Sequence, residues 1–345
     1  MMKPEQSMKH ILCEYYPNRL ALRSAVRTRL RHGVRGRGKW QGGILLALGL
    51  LLTGRPQIWA AGEQLFKTPQ AAADALVAAT RTHDTNALHF IFGPSGRELI
   101  NPDVIQSSNN FARFVQRLTN KVELIQAMDG RMVLELGADG WPFPIPLAPH
   151  AGQWFFDTAA GREEILNRRI GENELGALGV VRAYAAAQRE YASQFHGNEE
   201  VLEYAQHLRS TPGSQDGLYW PLGLGSERSP LGPLVAGAHA EGYRKGTKIL
   251  TEEETTPYHG YYFRILTQQG NHASGGKYHY IINGHMIAGF ALVAWPAEWG
   301  NSGIMTFIIN QRGKLYQKNL GAKTDAVARG MLVYDPDPTW KSVAD

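Results

Sequence analysis

Apolar residues recur at helical spacing early in the chain and later switch to every second position. Thr68 followed by Pro69 predicts a helix running to Arg81, with Ala72, Leu76 and Ala79 on one stripe. Asp84 predicts the cap of a second, short helix carrying Leu88 and Ile91. From Pro102 to Asn120, Val104, Phe111, Phe114, Val115 and Leu118 predict a third helix. Then the period becomes two. Val122 and Leu124 alternate with polar residues, as do Met132, Leu134 and Leu136. Asp129-Gly130 and Asp139-Gly140 are hairpin turn signals beside these runs. Residues 141–147 carry Pro142, Pro144 and Pro146, which restrict them to an edge or irregular strand. Residues 153–158 close the predicted sheet.

A long helical pattern comes next, over residues 162–195. Leu175, Leu178, Val181, Tyr184, Ala185, Gln188 and Tyr191 are placed near one face. Gly171, Gly176 and Gly179 each weaken it by roughly 1 kcal/mol relative to Ala, so a break is expected near Gly171. A shorter helix is expected over 199–208, and a loop-rich stretch over 210–257 with Pro212, Pro221, Pro230 and Pro233. The remainder predicts an antiparallel meander. One strand covers 258–267. Strands 278–282 and 286–295 are joined at Asn283-Gly284, and strands 304–310 and 315–320 at Gln311-Arg312-Gly313.

Near the start of the chain lies an uncharged run, GGILLALGLLLTG (42–54), preceded by Arg35, Arg37 and Lys39 and followed by Ala60, Ala61 and Gly62. Basic start, apolar middle and small-residue exit predict a secretory signal, cleaved between Ala60 and Glu63. A spanning helix needs about 20 apolar residues, so the run is short for an anchor. The expected location is the periplasm, with an inner-membrane-anchored form facing the periplasm as the alternative. The expected organisation is a leader and signal over 1–62, an α+β domain over 63–160, and a helix plus antiparallel-sheet domain over 161–345.

The leader changes how the charge is read. The whole chain has 36 Lys+Arg and 31 Asp+Glu, but residues 1–62 hold eleven of the former and two of the latter. Residues 63–345 therefore carry 25 positive and 29 negative groups, a net of −4. Nucleic acid needs a concentrated basic surface and is excluded as a partner. Membrane contact is expected only through the signal segment. Cys13, the single cysteine, also lies in the leader, which removes disulfides, thiolate metal sites and cysteine nucleophiles from the rest.

The runs WFFDTAAGREEILNRRIGENELGALGVVRAYAAAQREYA (154–192), LYWPLG (218–223), SPLGPLVAGA (229–238), PYHGYYFRILTQQG (257–270), GFALVAWPAEWGNSGIMTFIINQRGKLYQKNLG (289–321) and DPDPTW (335–340) resemble the bacterial family catalogued as domain of unknown function 2950. The resemblance brings no catalytic residues with it. The order of elements opening on FKTPQAAADALVAATRTHDTNALHFIFGP (66–94) is similar to the nuclear-transport-factor-2-like cone, an α+β fold of helices and a curved sheet. The second half is faintly similar to type IV pilin-like and pseudopilin globular domains, through Gly260-Tyr261-Tyr262-Phe263, residues 290–296 and residues 303–307. It lacks the pilin cleavage motif and assembly helix, which excludes a filament subunit.

Candidate chemistry is sparse. His279 and His285 flank the Asn283-Gly284 turn, but two histidines do not make a zinc site. Glu252, Glu253 and Glu254 lack the spacing of a calcium loop, and no serine sits in a nucleophile elbow. Gly223-Leu224-Gly225 comes after a loop rather than a strand, so no dinucleotide site is expected. No cofactor and no metal is expected. The loop Trp295-Pro296-Ala297-Glu298-Trp299-Gly300 is the best binding candidate, with Glu298 orienting a stacked sugar or peptide. Tyr219 and Trp220 are candidates for the same cleft. The competing reading packs Trp295 into the core with Trp299 as its lid. The expectation is a non-enzymatic binding or scaffolding component of the bacterial envelope, with an envelope protein or glycan as partner. Two alternatives stand: a pilus- or secretion-associated accessory protein, and a small-ligand binder or hydrolase using His83, Asp84 and Arg97 in the first domain.

Overall fold

Thr68, Asp84, Asp103 and Asp157 each start a helix, because each side chain accepts a hydrogen bond from the backbone N–H three residues on. In the computed structural model, which describes residues 62–95, 101–196, 200–221, 228–243 and 256–343, these helices are α1 (Pro69–Arg81), α2 (Thr85–Phe92), α3 (Val104–Asn120) and α4 (Thr158–Tyr191). The signal run 42–54, Arg97, Gly223-Leu224-Gly225 and the three glutamates 252–254 lie outside the described residues. Among the described residues no helix is long and apolar enough to cross a membrane.

The first sheet has β1 (Val122–Gln126), β2 (Met132–Leu136), β3 (Trp141–Pro142), β4 (Leu147–His150) and β5 (Gln153–Phe156). Its order is β1-β2-β4-β5, all antiparallel, with β3 also paired to β2. Val122 pairs with Leu136 and Leu124 with Leu134, so the predicted period-two register holds. The prolines confine β3 to two residues, as an edge requires. Helices α1 to α3 pack on this sheet. Phe92, Phe114, Phe143 and Phe156 fill the space between, with ring centroids 5.3–6.2 Å apart.

Helix α4 does not break at Gly171. It begins at Thr158 rather than Arg162, because Asp157 is its cap, and it runs unbroken to Tyr191. Ile165 enters the first core, while Val181, Tyr184 and Tyr191 enter a second. Between them Arg168, Arg169 and Asn173 are buried. These polar contacts on both sides outweigh the modest propensity cost of the glycines. Leu175, expected on the buried stripe, is exposed. It lies two positions from both Asn173 and Ala177, about 200° round the helix from each.

Two of the helix glycines have opposite roles. A Cβ on Gly161 would lie 2.7 Å from Ile145 Cγ1 and 3.0 Å from the Pro144 carbonyl oxygen. Gly179 has nothing within 4 Å. Gly161→Ala is therefore expected to destabilise by about 1–3 kcal/mol through overpacking. Gly179→Ala should stabilise by up to about 1 kcal/mol. Urea midpoints check this, and shifts of the same sign would refute the close-approach account.

The second sheet contains β6 (Tyr261–Leu266), β11 (Ala291–Pro296), β12 (Met305–Asn310), β13 (Leu315–Asn319) and β15 (Lys341–Ser342), in the antiparallel order β15-β13-β12-β11-β6. Strand β11 is buried at all six positions, so both faces of the sheet are covered there. Helix α4 packs on β11 and β12, and α6 (Thr324–Arg329) also packs on β11.

Three expectations in this half are corrected. Residues 200–208 are not helical. Tyr204 N–H donates to the Met286 carbonyl at 2.8 Å, and Ala205 exchanges two hydrogen bonds with the Gln188 amide, so tertiary partners satisfy backbone that a helix would have satisfied itself. The loop-rich stretch contains α5 (Gly232–Ala240), with Pro233 in its first turn. The Asn283-Gly284 turn forms with positive φ at both residues, but it joins only β9 (Ile281–Ile282) and β10 (His285–Met286). The flanking segments go elsewhere: β8 (Tyr278–His279) pairs with β7 (Gln268–Gln269), which runs parallel to β14 (Val333–Tyr334). The described residues form an α+β structure of six α-helices and several sheets.

Candidate functional site

Residues 296–303 leave the buried end of β11 as a tightly bonded loop. The Glu298 carbonyl accepts from Asn301 N–H at 3.1 Å and Ser302 N–H at 2.8 Å, and Glu298 N–H donates to Ser302 Oγ at 2.9 Å. Gly303 has no room for a side chain, since a Cβ would lie 2.2 Å from the Tyr261 hydroxyl. The polar belt of α4 holds the loop from below. Arg169 donates to Asn301 Oδ1, Asn173 Nδ2 to the Ser302 carbonyl at 2.8 Å, and Glu174 Oε1 accepts from Ile304 and Met305 N–H at 3.0 Å each. Sequence reasoning missed these anchors. Their only trace was polar residues within an otherwise apolar helical pattern.

The two indoles of this loop part company. Trp295 is fully buried. Its Nε1–H donates to Asp325 Oδ1 at 3.0 Å, and the Arg264 and Arg329 guanidinium groups lie 5.6 and 5.9 Å from its ring. It is a core residue, and no ligand reaches it. Trp299 is 39 % exposed. Its Nε1–H is fixed by Asn319 Oδ1 at 2.9 Å, which leaves ring surface open to solvent on a rigid base. Glu298 is exposed, with one carboxylate oxygen accepting from Asn301 Nδ2 at 2.8 Å. Gly300, the next residue after Trp299, lines a cavity of about 280 Å³. Its other wall is one face of α4, with Arg162, Glu163, Leu166, Asn167 and Ile170 at helical spacing.

Tyr219 and Trp220 do not join this cleft. Trp220 is buried, with the His196 ring 5.7 Å away. Tyr219 lines a different cavity, which shares no residue with the first. In the first half, the His83 ring lies 6.1 Å from Phe111 and Asp84 caps α2, while Phe and Leu side chains occupy the interior. His279 is exposed, and His285 Nδ1 lies 3.3 Å from Glu203. Among the described residues no three His, Cys, Asp or Glu side chains are grouped to hold a metal.

A cluster of perturbed titratable groups lies where the two halves meet. Asp103 is buried; its Oδ2 accepts from the Tyr243 hydroxyl and, at 3.3 Å, from Gly260 N–H. Burial raises its pKa against the pull of these donors. Burial and Asp103 raise the pKa of Glu241 as well. His259 has φ of 48° and its Nε2 is 3.3 Å from Glu241 Oε2. Burial and the Arg113 guanidinium push its pKa down to about 4, so the imidazole is neutral near pH 7 and the contact with Glu241 is not an ion pair then. Gln106 and Asn173 complete the junction with a 2.7 Å hydrogen bond. No single sequence motif marks this cluster, because its members come from α3 and its cap, from α4, from the end of α5 and from the approach to β6.

The fold and these sites define an α+β protein with an aromatic loop beside a helix-lined groove. The family model described as "Protein of unknown function (DUF2950)" matches residues 63–343, and the chain belongs to that family. No curated protein and no solved structure matches it, so the likeness to nuclear-transport-factor-2-like and pilin-like folds gains no counterpart.

Proposed function

We propose that this protein is an exported component of the bacterial envelope that binds glycan chains in the groove between the loop at Gly300 and the first half of α4, with the neighbouring Trp299 at its edge. The observation that carries the reading is the Trp299 indole, partly exposed but held by its edge on a loop fixed at both ends. An immobilised aromatic face suits the apolar face of a sugar ring at little entropic cost. Arg162, Glu163 and Asn167 line the cavity, and Glu298 is exposed on the adjoining loop; together they supply the donors and acceptors that hydroxyl groups need. The export part rests on the basic, apolar and small-residue order of residues 35–62.

Two measurements test it. Fractionation and N-terminal sequencing should find a periplasmic product beginning between Ala61 and Glu63; a membrane-bound product retaining residues 1–62 would favour the anchored alternative. Peptidoglycan-derived oligosaccharides should bind the mature protein saturably. Trp299→Ala should weaken that binding about tenfold or more while lowering stability by no more than about 1 kcal/mol, the worth of one exposed hydrogen bond. Retention of an envelope protein but no oligosaccharide would instead favour an accessory docking role.

A further inference from the structure

A second site is built by residues 207–221, far along the chain from the Trp299 loop. This segment folds back on itself. Ser210 N–H donates to the Tyr219 carbonyl at 2.8 Å, and Leu218 N–H to the His207 carbonyl at 3.0 Å. Gly217 permits the approach, since a Cβ there would lie 2.6 Å from the Arg209 carbonyl carbon. The Asp216 carboxylate accepts from Thr211 N–H at 2.8 Å, from Thr211 Oγ1 at 2.7 Å and from Ser214 Oγ at 2.7 Å. Tyr191 on α4 pins the tip by donating to the Gln215 carbonyl at 2.8 Å. The result is a cavity of about 330 Å³, lined by Arg209, Thr211, Pro212, Tyr219 and Pro221 and, from α5, by His239.

Arg209 is the unusual member. Its guanidinium lies 4.9 Å from the centroid of the Tyr219 ring. Its Nε is buried and has no hydrogen-bond partner among the described residues. No acidic side chain among the described residues pairs with it; Asp216, the carboxylate of this loop, is engaged by three hydrogen bonds of its own. Burial lowers the Arg209 pKa from its ordinary value, and the Tyr219 phenol only partly opposes this. A half-buried guanidinium that no carboxylate among the described residues pairs is costly to the folded protein. Its stack on tyrosine recovers part of that cost but supplies no anion.

The geometry points to a binding site for a small organic carboxylate, with the carboxylate on Arg209 and a flat apolar body against Tyr219, Pro212 and Pro221. The guanidinium fork matches a carboxylate with two parallel hydrogen bonds. Phosphate is disfavoured by the rest of the wall. Thr211 N–H and its hydroxyl are already given to Asp216, and Ser210 Oγ exchanges hydrogen bonds with Gly217, so few donors remain for three oxygens of a dianion. His239 also lines the cavity and offers an imidazole to a bound ligand. This site is independent of the Trp299 groove, and either can fail without the other.

Benzoate is a suitable probe, with benzamide as its neutral isostere and inorganic phosphate as the competing anion, all at constant ionic strength. Benzoate should raise the melting temperature of the mature protein saturably, since ligand that binds only the folded state stabilises by mass action. Benzamide and phosphate should not. Arg209→Gln should weaken benzoate binding about tenfold or more and leave the melting temperature unchanged or higher, because an uncompensated cation is removed. Arg209→Lys should recover only part of the affinity. His239→Gln, which leaves the Arg209–Tyr219 stack intact, should weaken binding by a smaller factor. The assignment is overturned if benzoate shows no saturable effect, or if benzamide or phosphate binds as well. It is also overturned if Arg209→Gln binds benzoate like the parent, or if Arg209→Gln and Arg209→Lys both lower the melting temperature while His239→Gln leaves benzoate binding untouched.

Discussion

Trp295→Ala is expected to destabilise the protein by about 3–5 kcal/mol, the range for removing a buried aromatic side chain. Three losses combine. The largest is the cavity in a strand whose six residues, Ala291–Pro296, are all buried. The second is the hydrogen bond to Asp325, whose carboxylate then keeps, among the described residues, the Arg329 contacts at 2.9 and 3.0 Å. The third is the platform for Arg264, whose guanidinium donates to the carbonyls of Ala328, Arg329 and Met331 at the end of α6. The melting temperature should fall on the order of 10 °C. Trp299→Ala, four residues on, should hardly move it. Equal losses from the two substitutions would show that the whole loop is structural and would remove Trp299 from the binding surface.

Acid should weaken the junction between the halves through His259. Its pKa is about 4 in the folded protein, against an ordinary 6.5. Between these values the unfolded chain binds a proton that the folded protein does not. The corresponding stability, about 3 kcal/mol, is complete above pH 6.5 and is lost as the pH falls through 4. Asp103 and Glu241 act with the opposite sign. Their raised pKa values mean that the folded protein takes up protons before the unfolded chain does, so they return stability over the acid range. The Arg113 guanidinium and the hydroxyls of Tyr243 and Tyr258 also face the cluster; both phenols are pushed upward by burial and stay protonated. His259→Asn isolates the imidazole, because asparagine tolerates the positive φ of 48° at this position. Denaturation midpoints of parent and variant should converge as the pH is lowered from 7 to 4. Parallel curves would show that His259 does not titrate with folding.

Elements that close their hydrogen bonds locally were legible. Thr68 and Asp84 cap the helices expected of them, and the 311–313 turn joins β12 to β13. Asn283-Gly284 makes its turn with φ of 51° and 90°. The misreadings have one origin, a distant partner. Residues 200–208 pass for a helix until Gln188 and Met286 claim their backbone groups. Gly171 reads as a break until Arg169 and Asn173 are seen bonded to Asn301, Gln106 and Ser302, between 67 and 132 residues away. The 295–300 loop stood out by composition, yet composition could not separate its two indoles. Their fates differ because Trp295 is the last but one residue of a strand covered on both faces, and Trp299 lies beyond its end.

By itself the sequence determined the α+β class, the starts of the first two helices and the hairpin turns, because caps, turn residues and apolar period act over a few residues, and it determined the family through the wording of its longer runs. Tertiary structure alone decided that α4 runs through both cores and that Tyr219 belongs with Arg209 rather than with Trp299. It also decided that a histidine, two carboxylates and two tyrosines meet at the junction. Burial and charge proximity depend on which surfaces fold together, and no local pattern encodes that.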